Sequence, residues 1–365
     1  MHKSPILSLV LMVLLCFSSC EDTEILPEVL VPEEVVDPEE KEPEPEPTPP
    51  PAPPAQPSPQ PTDKPLVILD TDIAEDVDDV GAVAVLHALA DKGEIQILGM
   101  MASVAVEYGA PALDALNTYF KRPNIPVGTL KGSQFTTADK YLVYNKALAT
   151  TFPNDLKHAN NAPKAVDLYR QLLAGQADNS VTIITVGPLI NLYDLMKSGS
   201  DKHSSLNGLE LIKKKVKRFV MAGGKLPNGT SYNFRLYPDK SEYVINNWPT
   251  EYWLVPNELG DNVLTGTELL STISPTSPIH VAYTLYKKAH PTWEFRPSWD
   301  QIGVYIAARK DDPLFKLETT GSVSAVMENI KWNSSPDKDH IWFQVNSTIE
   351  QRRAAIEKLM MHQPK

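Results

Sequence analysis

The sequence predicts an α/β domain: a largely parallel sheet covered by helices on both faces. Two observations carry this. From about residue 66 onward, short apolar runs alternate with segments of helical length, and strands separated by helices imply parallel pairing. A dense acidic cluster directly follows the first apolar run, at the carboxyl end of a strand, which is where such sheets bind ligands.

Two segments precede that domain. His2 and Lys3, an apolar run from Ile6 to Phe17, and Ser18-Ser19-Cys20 read as a secretory signal over residues 1–20. The run is too short for a bilayer span, which needs roughly 20 apolar residues. Phe17-Ser-Ser-Cys20 resembles a bacterial lipobox, implying a lipid anchor on Cys20; ordinary cleavage near Ser19 would instead release the chain. The acidic Glu21, Asp22 and Glu24 that follow resemble a signal that sends lipoproteins to the outer membrane or cell surface in some bacteria and retains them at the inner membrane in others. Cys16 and Cys20 are the two cysteines, so the mature chain holds one thiol and no internal disulfide. Residues 21–65 are Pro-rich and acidic and cannot bury a core, so they read as a disordered tether. They carry thirteen Asp/Glu and two Lys, a net of −11 out of the chain's −12; with Lys3 counted, residues 66–365 sum to about −2. The acidity belongs to the tether, and nothing in the charge favours nucleic acid as a partner.

The domain, residues 66–365, reads in order as strand Leu66–Leu69, helix Asp79–Lys92, strand Ile95–Met101 and helix Ala110–Tyr119. Helix Ala162–Ala174, strand Val181–Val186, helix Leu189–Lys197 and strand Arg218–Met221 continue the alternation. Later helices are expected at Ile302–Arg309 and Ile349–Met361, with Tyr286–Ser298 and Glu318–Gln344 irregular.

The stretch Asp70-Thr-Asp72-Ile-Ala-Glu75-Asp76-Val-Asp78-Asp79 packs six carboxylates into ten residues. The helix dipole accounts for acids such as Asp78 and Asp79 at a helix start. It does not account for Asp70 and Asp72 at the end of an apolar strand, where a buried charge must be paired or bound to a cation. Carboxylates without nearby Cys or His favour a hard cation, Ca²⁺ before Mg²⁺. The spacing does not fit an EF-hand loop, because its sixth position is not Gly.

At these residues the chain resembles the inosine-uridine preferring nucleoside hydrolases. Asp70-Thr-Asp72 and Asp78-Asp79 match that family's opening Asp-x-Asp-x-Gly-x-Asp-Asp with two extra residues, and an alternative alignment gives Asp76 a ligand role. Val181-Thr-Ile-Ile-Thr-Val186-Gly-Pro-Leu-Ile-Asn191, Phe219-Val-Met-Ala-Gly-Gly224 with Tyr232-Asn233-Phe, and Arg296-Pro-Ser-Trp-Asp300 follow in the family's order, so the likeness spans roughly residues 66–361.

The resemblance implies a Rossmann-like sheet, hydrolysis of a nucleoside's N-glycosidic bond, and Ca²⁺ held by Asp72, Asp79, the Val186 carbonyl and Asp300. Asp72 would also be the general base, with Asp78 and Asn233 on the ribose. Family members are commonly dimers or tetramers, which makes a homo-oligomer an expectation.

Each residue has a plainer reading as well: Asn233 as a turn former, Asp300 as a helix N-cap, and Trp299 either stacked on a base or packed in the core. The chain departs from the family at Ser231, where a Glu is usual, at Tyr237, and at Trp299, where a leaving-group His often stands. His280 and His290 are the remaining candidates for that acid. These departures keep two other functions open: hydrolysis of another N- or O-glycoside, and calcium-dependent sugar binding without turnover.

Overall fold

A computed structural model describes residues 64–364 apart from 75, 133–141, 293–294 and 335–339. The signal, Cys20 and nearly all of the tether expected from the sequence lie outside the described residues, as does Glu75 of the acidic cluster. No helix of the described residues is long and apolar enough to cross a membrane.

The chain builds an eight-stranded sheet around β1 (Leu66–Thr71), which pairs in parallel with β2 (Gln96–Ala102) on one side and β4 (Val181–Thr185) on the other. Beyond β2 lies β3 (Val127–Thr129); beyond β4 come β5 (Val216–Ala222), Glu251–Val255 and His340–Val345, all parallel. Phe315–Glu318 closes that edge antiparallel. Because the chain first builds outward from β1 through β2 and β3 and then returns to lay down β4, the strand order reverses between β1 and β4. That reversal opens a crevice at the strands' carboxyl ends, the usual ligand position in such sheets.

Val67, Ile68 and Leu69 of β1 are fully buried, at roughly 2 kcal/mol each. That gain offsets the cost of carrying the next residue, Asp70, into the same interior. Two apolar cores cover the sheet, one on each face.

The first helix, α1 (Asp78–Asp91), is buried along nearly its whole length. Its small residues let helix Trp299–Ala308 pack tightly on it: a Cβ on Gly81 would come within 2.4 Å of the Gln301 amide. Close approach at Gly81 therefore brings the start of one helix, with Asp78 and Asp79, beside the start of the other, with Asp300.

The expected strands and helices form, within a residue or two at most ends; the helix expected from Ala162 begins at Ala165. The larger difference is Glu318–Gln344. It is not irregular: it holds the hairpin Ser322–Val326 with Asn329–Asn333 and enters the strand His340–Val345. Short antiparallel strands with polar outer positions carry little signal until their partners are known. Within Tyr286–Ser298, the helix Pro278–Ala289 runs to its end and Arg296–Pro297 pairs with Leu264–Thr265.

Candidate active site

Asp72, Asp78, Asp79, Val186, Asn233, Trp299 and Asp300 all line one cleft of about 440 Å³ at the carboxyl ends of the strands. Four separate parts of the sequence thus meet there: the loop from β1 into α1, the end of β4, the segment after β5, and the start of helix Trp299–Ala308.

Asp78, Asp79 and Asp300 form a buried triad whose carboxylate oxygens lie within 4.8 Å of one another. Two unit charges at that separation repel by about 3 kcal/mol at an effective dielectric of about 20. Three ionised pairs would then cost on the order of 10 kcal/mol, comparable with the whole stability of a typical domain. Accordingly, burial first and neighbouring carboxylates second push Asp79 and Asp300 well above the usual carboxylate range. Burial also raises Asp78, to about 6, against the opposing pull of Arg296. Asp72 is half-buried and adds to the repulsion felt by Asp79 and Asp300.

Thr71 donates its hydroxyl to Asp79 Oδ1, and Arg296 Nε donates to Asp78 Oδ1 at 3.2 Å. Asp300 receives no hydrogen bond from any described residue and is 7 % exposed. A buried carboxylate without a donor, beside two others, fits a divalent cation. The donor set is all oxygen, which suits a hard ion.

Gly187 and Asn233 set the geometry opposite this triad. A Cβ on Gly187 would fall 2.8 Å from the Asp72 amide nitrogen and 3.0 Å from its Oδ1, so only glycine lets the end of β4 abut Asp72. The Asn233 amide donates to the Val186 carbonyl at 2.7 Å. The turn-former reading of Asn233 gives way to one in which its side chain braces this carbonyl. Gly223 and Gly224, with φ of 135° and 81°, adopt backbone that favours glycine and carry the chain from β5 to that wall.

Several plainer readings are now decided. Asp300 is not an N-cap: the helix begins at Trp299 behind Ser298, and Asp300 sits in its first turn. Trp299 is not core. It borders the cleft under the Arg296 guanidinium, 4.7 Å away, with its indole N–H given to Asp261 at 2.9 Å. Asp76 pairs with Arg296 and accepts from the Tyr286 hydroxyl at 3.2 Å, so it serves as a counter-ion rather than a member of the triad. His280 and His290 do not border the cleft.

Sequence reasoning missed three features. Arg296 was visible within its motif, and an arginine near so many acids signals a counter-ion; its partners, however, lie about 220 residues away. Asp70 is not in the cleft. It is fully buried beneath it and accepts from Tyr169 at 2.9 Å and Asn191 at 3.2 Å. Burial raises Asp70 to about 7 against those bonds. Asn191, the last residue of the Gly187-Pro-Leu-Ile-Asn191 motif, thus anchors the β1 acid. The third feature is Arg235, which borders the cleft together with Ser231, a position already marked in the sequence as a departure.

A family profile described as inosine-uridine preferring nucleoside hydrolase matches residues 67–346. No curated protein matches the chain in sequence. Among solved structures, the purine-preferring ribonucleoside hydrolase from Gardnerella vaginalis is similar, with a TM-score of 0.62 at 15% identity, over 81% of this chain and 99% of that one. The inosine-uridine preferring nucleoside hydrolase from Bacillus anthracis gives 0.58 at 15% identity, over 81% and 99%. The type III effector protein XopQ, solved with adenosine diphosphate ribose, gives 0.56 at 11% identity, over 82% and 95%.

Proposed function

The chain belongs to the inosine-uridine preferring nucleoside hydrolase family and is an N-glycosyl hydrolase; from that premise we propose that it cleaves ribonucleosides to free base and ribose with a bound calcium ion. The observation that carries this reading is the buried triad of Asp78, Asp79 and Asp300, with Asp72 and the Val186 carbonyl bordering the same cleft.

Asp79 and Asp300 of the triad, joined by Asp72 and the Val186 carbonyl at the same cleft, would hold the ion, with Asp78 beside them as a further carboxylate within reach. When bound, it supplies positive charge that offsets the carboxylate repulsion, fixes the sugar's vicinal hydroxyls and acidifies a water. Asp72, half-buried at the cleft edge, would take the proton from the attacking water. Asp78, fixed by Arg296, would accept a hydrogen bond from a ribose hydroxyl, while Asn233 holds the Val186 carbonyl in place and faces the sugar. Bond cleavage develops positive charge on the sugar, and this acid-rich wall stabilises it.

The test is reducing-sugar release from inosine, uridine, adenosine and cytidine, with calcium and after chelation. Release that depends on calcium and disappears in Asp72→Ala is expected; full activity in that variant, or in chelator, refutes the assignment.

One observation favours a second reading, calcium-dependent sugar binding without turnover. Trp299 replaces the usual leaving-group acid, and no histidine lies among the described residues lining the cleft. General acids contribute roughly 10²–10⁴-fold. A riboside whose leaving group needs no proton, 4-nitrophenyl riboside, separates the two: an enzyme lacking only the acid turns it over, and a binding protein does not.

The signal and Cys20 add the proposal that the enzyme is lipid-anchored in the envelope. Fatty-acid labelling of the wild-type chain but not of Cys20→Ala tests it.

A further inference from the structure

The two walls of the cleft differ in charge. Most of the lining carboxylates come from the loop into α1, the start of α1 and helix Trp299–Ala308, with Asp261 apart from them; the segment of residues 222–236 contains no Asp or Glu and presents Lys225 and Arg235 to the cleft. Lys225 reaches Asp261 only at 3.8 Å. Arg235 makes no ion pair with any described residue. Between these cations, Ser231 borders the cleft with a hydroxyl that is buried and has no hydrogen-bond partner, its residue being 6 % exposed. The Arg235 amide bonds back to the Ser231 carbonyl at 3.3 Å, so hydroxyl and guanidinium are carried on one rigid turn.

A buried hydroxyl without a partner costs stability unless a ligand completes it. An unpaired guanidinium four residues on is matched to an anion with several acceptor oxygens. The usual glutamate would repel such a group, and here Ser231 removes that charge.

We propose that Ser231, Arg235 and Lys225 form a subsite for a phosphate ester on the sugar's primary hydroxyl, so that the preferred substrate is a nucleoside 5′-monophosphate rather than a free nucleoside. This rests on the hydrolase reading, in which the carboxylate wall takes the vicinal hydroxyls and leaves the primary hydroxyl toward the opposite wall. In the reaction, the water oxygen bonds to C1′ and the C1′–N bond breaks. The base leaves carrying the proton, and the second product is ribose 5-phosphate.

The experiment compares uridine with uridine 5′-monophosphate on the full chain with calcium, reading the ratio of kcat/KM values and identifying the sugar product. A ratio above about 10 is expected, falling at least about tenfold in Arg235→Ala and partly recovering in Arg235→Lys, as a charge-assisted contact implies. A wild-type ratio of one or less, or a ratio unchanged in Arg235→Ala, overturns the subsite while leaving the hydrolase reading intact. Release from neither substrate counts against the hydrolase reading instead. The subsite is then judged by calorimetry on the same pair: tighter monophosphate binding that Arg235→Ala abolishes upholds it, and equal Kd values or no binding of either overturn it.

Discussion

Replacing Asp300 with asparagine should move stability in opposite directions with and without calcium. In the metal-free protein, Asp300 is a buried carboxylate without a donor, within 4.8 Å of Asp78 and Asp79. Each such contact repels by about 3 kcal/mol when both groups are ionised. Asparagine removes the charge and offers an amide donor to the remaining carboxylates, so the metal-free variant should be more stable by about 1–2 kcal/mol.

Calcium reverses the order. At a concentration 100 times its Kd, a ligand stabilises the wild type by about 2.7 kcal/mol, or about 4 °C in Tm for a domain of about 300 residues. Losing one anionic ligand should weaken binding at least about 100-fold. At the same calcium concentration the variant then gains about 0.4 kcal/mol, near 1 °C. Thermal denaturation of both proteins in chelator and in a calcium series reads all four values. A variant that keeps the wild-type calcium shift, or melts lower than wild type in chelator, refutes the triad as a cation site.

Two further outcomes follow from groups away from the ion. His87 is fully buried, bonded to Asn117 at 2.9 Å and stacked on Phe120, and burial with the nearby Arg122 lowers it to about 3. Its folded value lies below the unfolded value near 6.5, so its contribution is complete above about pH 6.5 and is lost as pH falls toward 3; urea unfolding of wild type against His87→Gln should show the difference shifting by about 2.7 kcal/mol between pH 7 and 4.5, and parallel pH curves would contradict this. Asn191→Ala should destabilise by about 1–3 kcal/mol, because it leaves the fully buried Asp70 with one fewer donor; a loss under about 0.5 kcal/mol in the same assay argues against that anchoring role.

What was legible in the sequence was local. Asp70 to Asp79 lie within ten residues, so their mutual repulsion and need for a cation are visible without a fold, and strand-to-helix alternation is read the same way. The ordered motifs around Val186, Gly223 and Asp300 pointed to segments that all reach one cleft. What only the tertiary structure decided were partnerships across long separations. Arg296 neutralises Asp76 and Asp78, Asn191 holds Asp70, and Asn233 braces the Val186 carbonyl. Asp70 and Asp72, two residues apart on a strand end, look equivalent in sequence, yet one is sealed beneath the cleft and the other borders it. Hydrogen-bond partners and burial, not spacing, separate their roles, and those depend on which distant chain segments the folded sheet brings alongside.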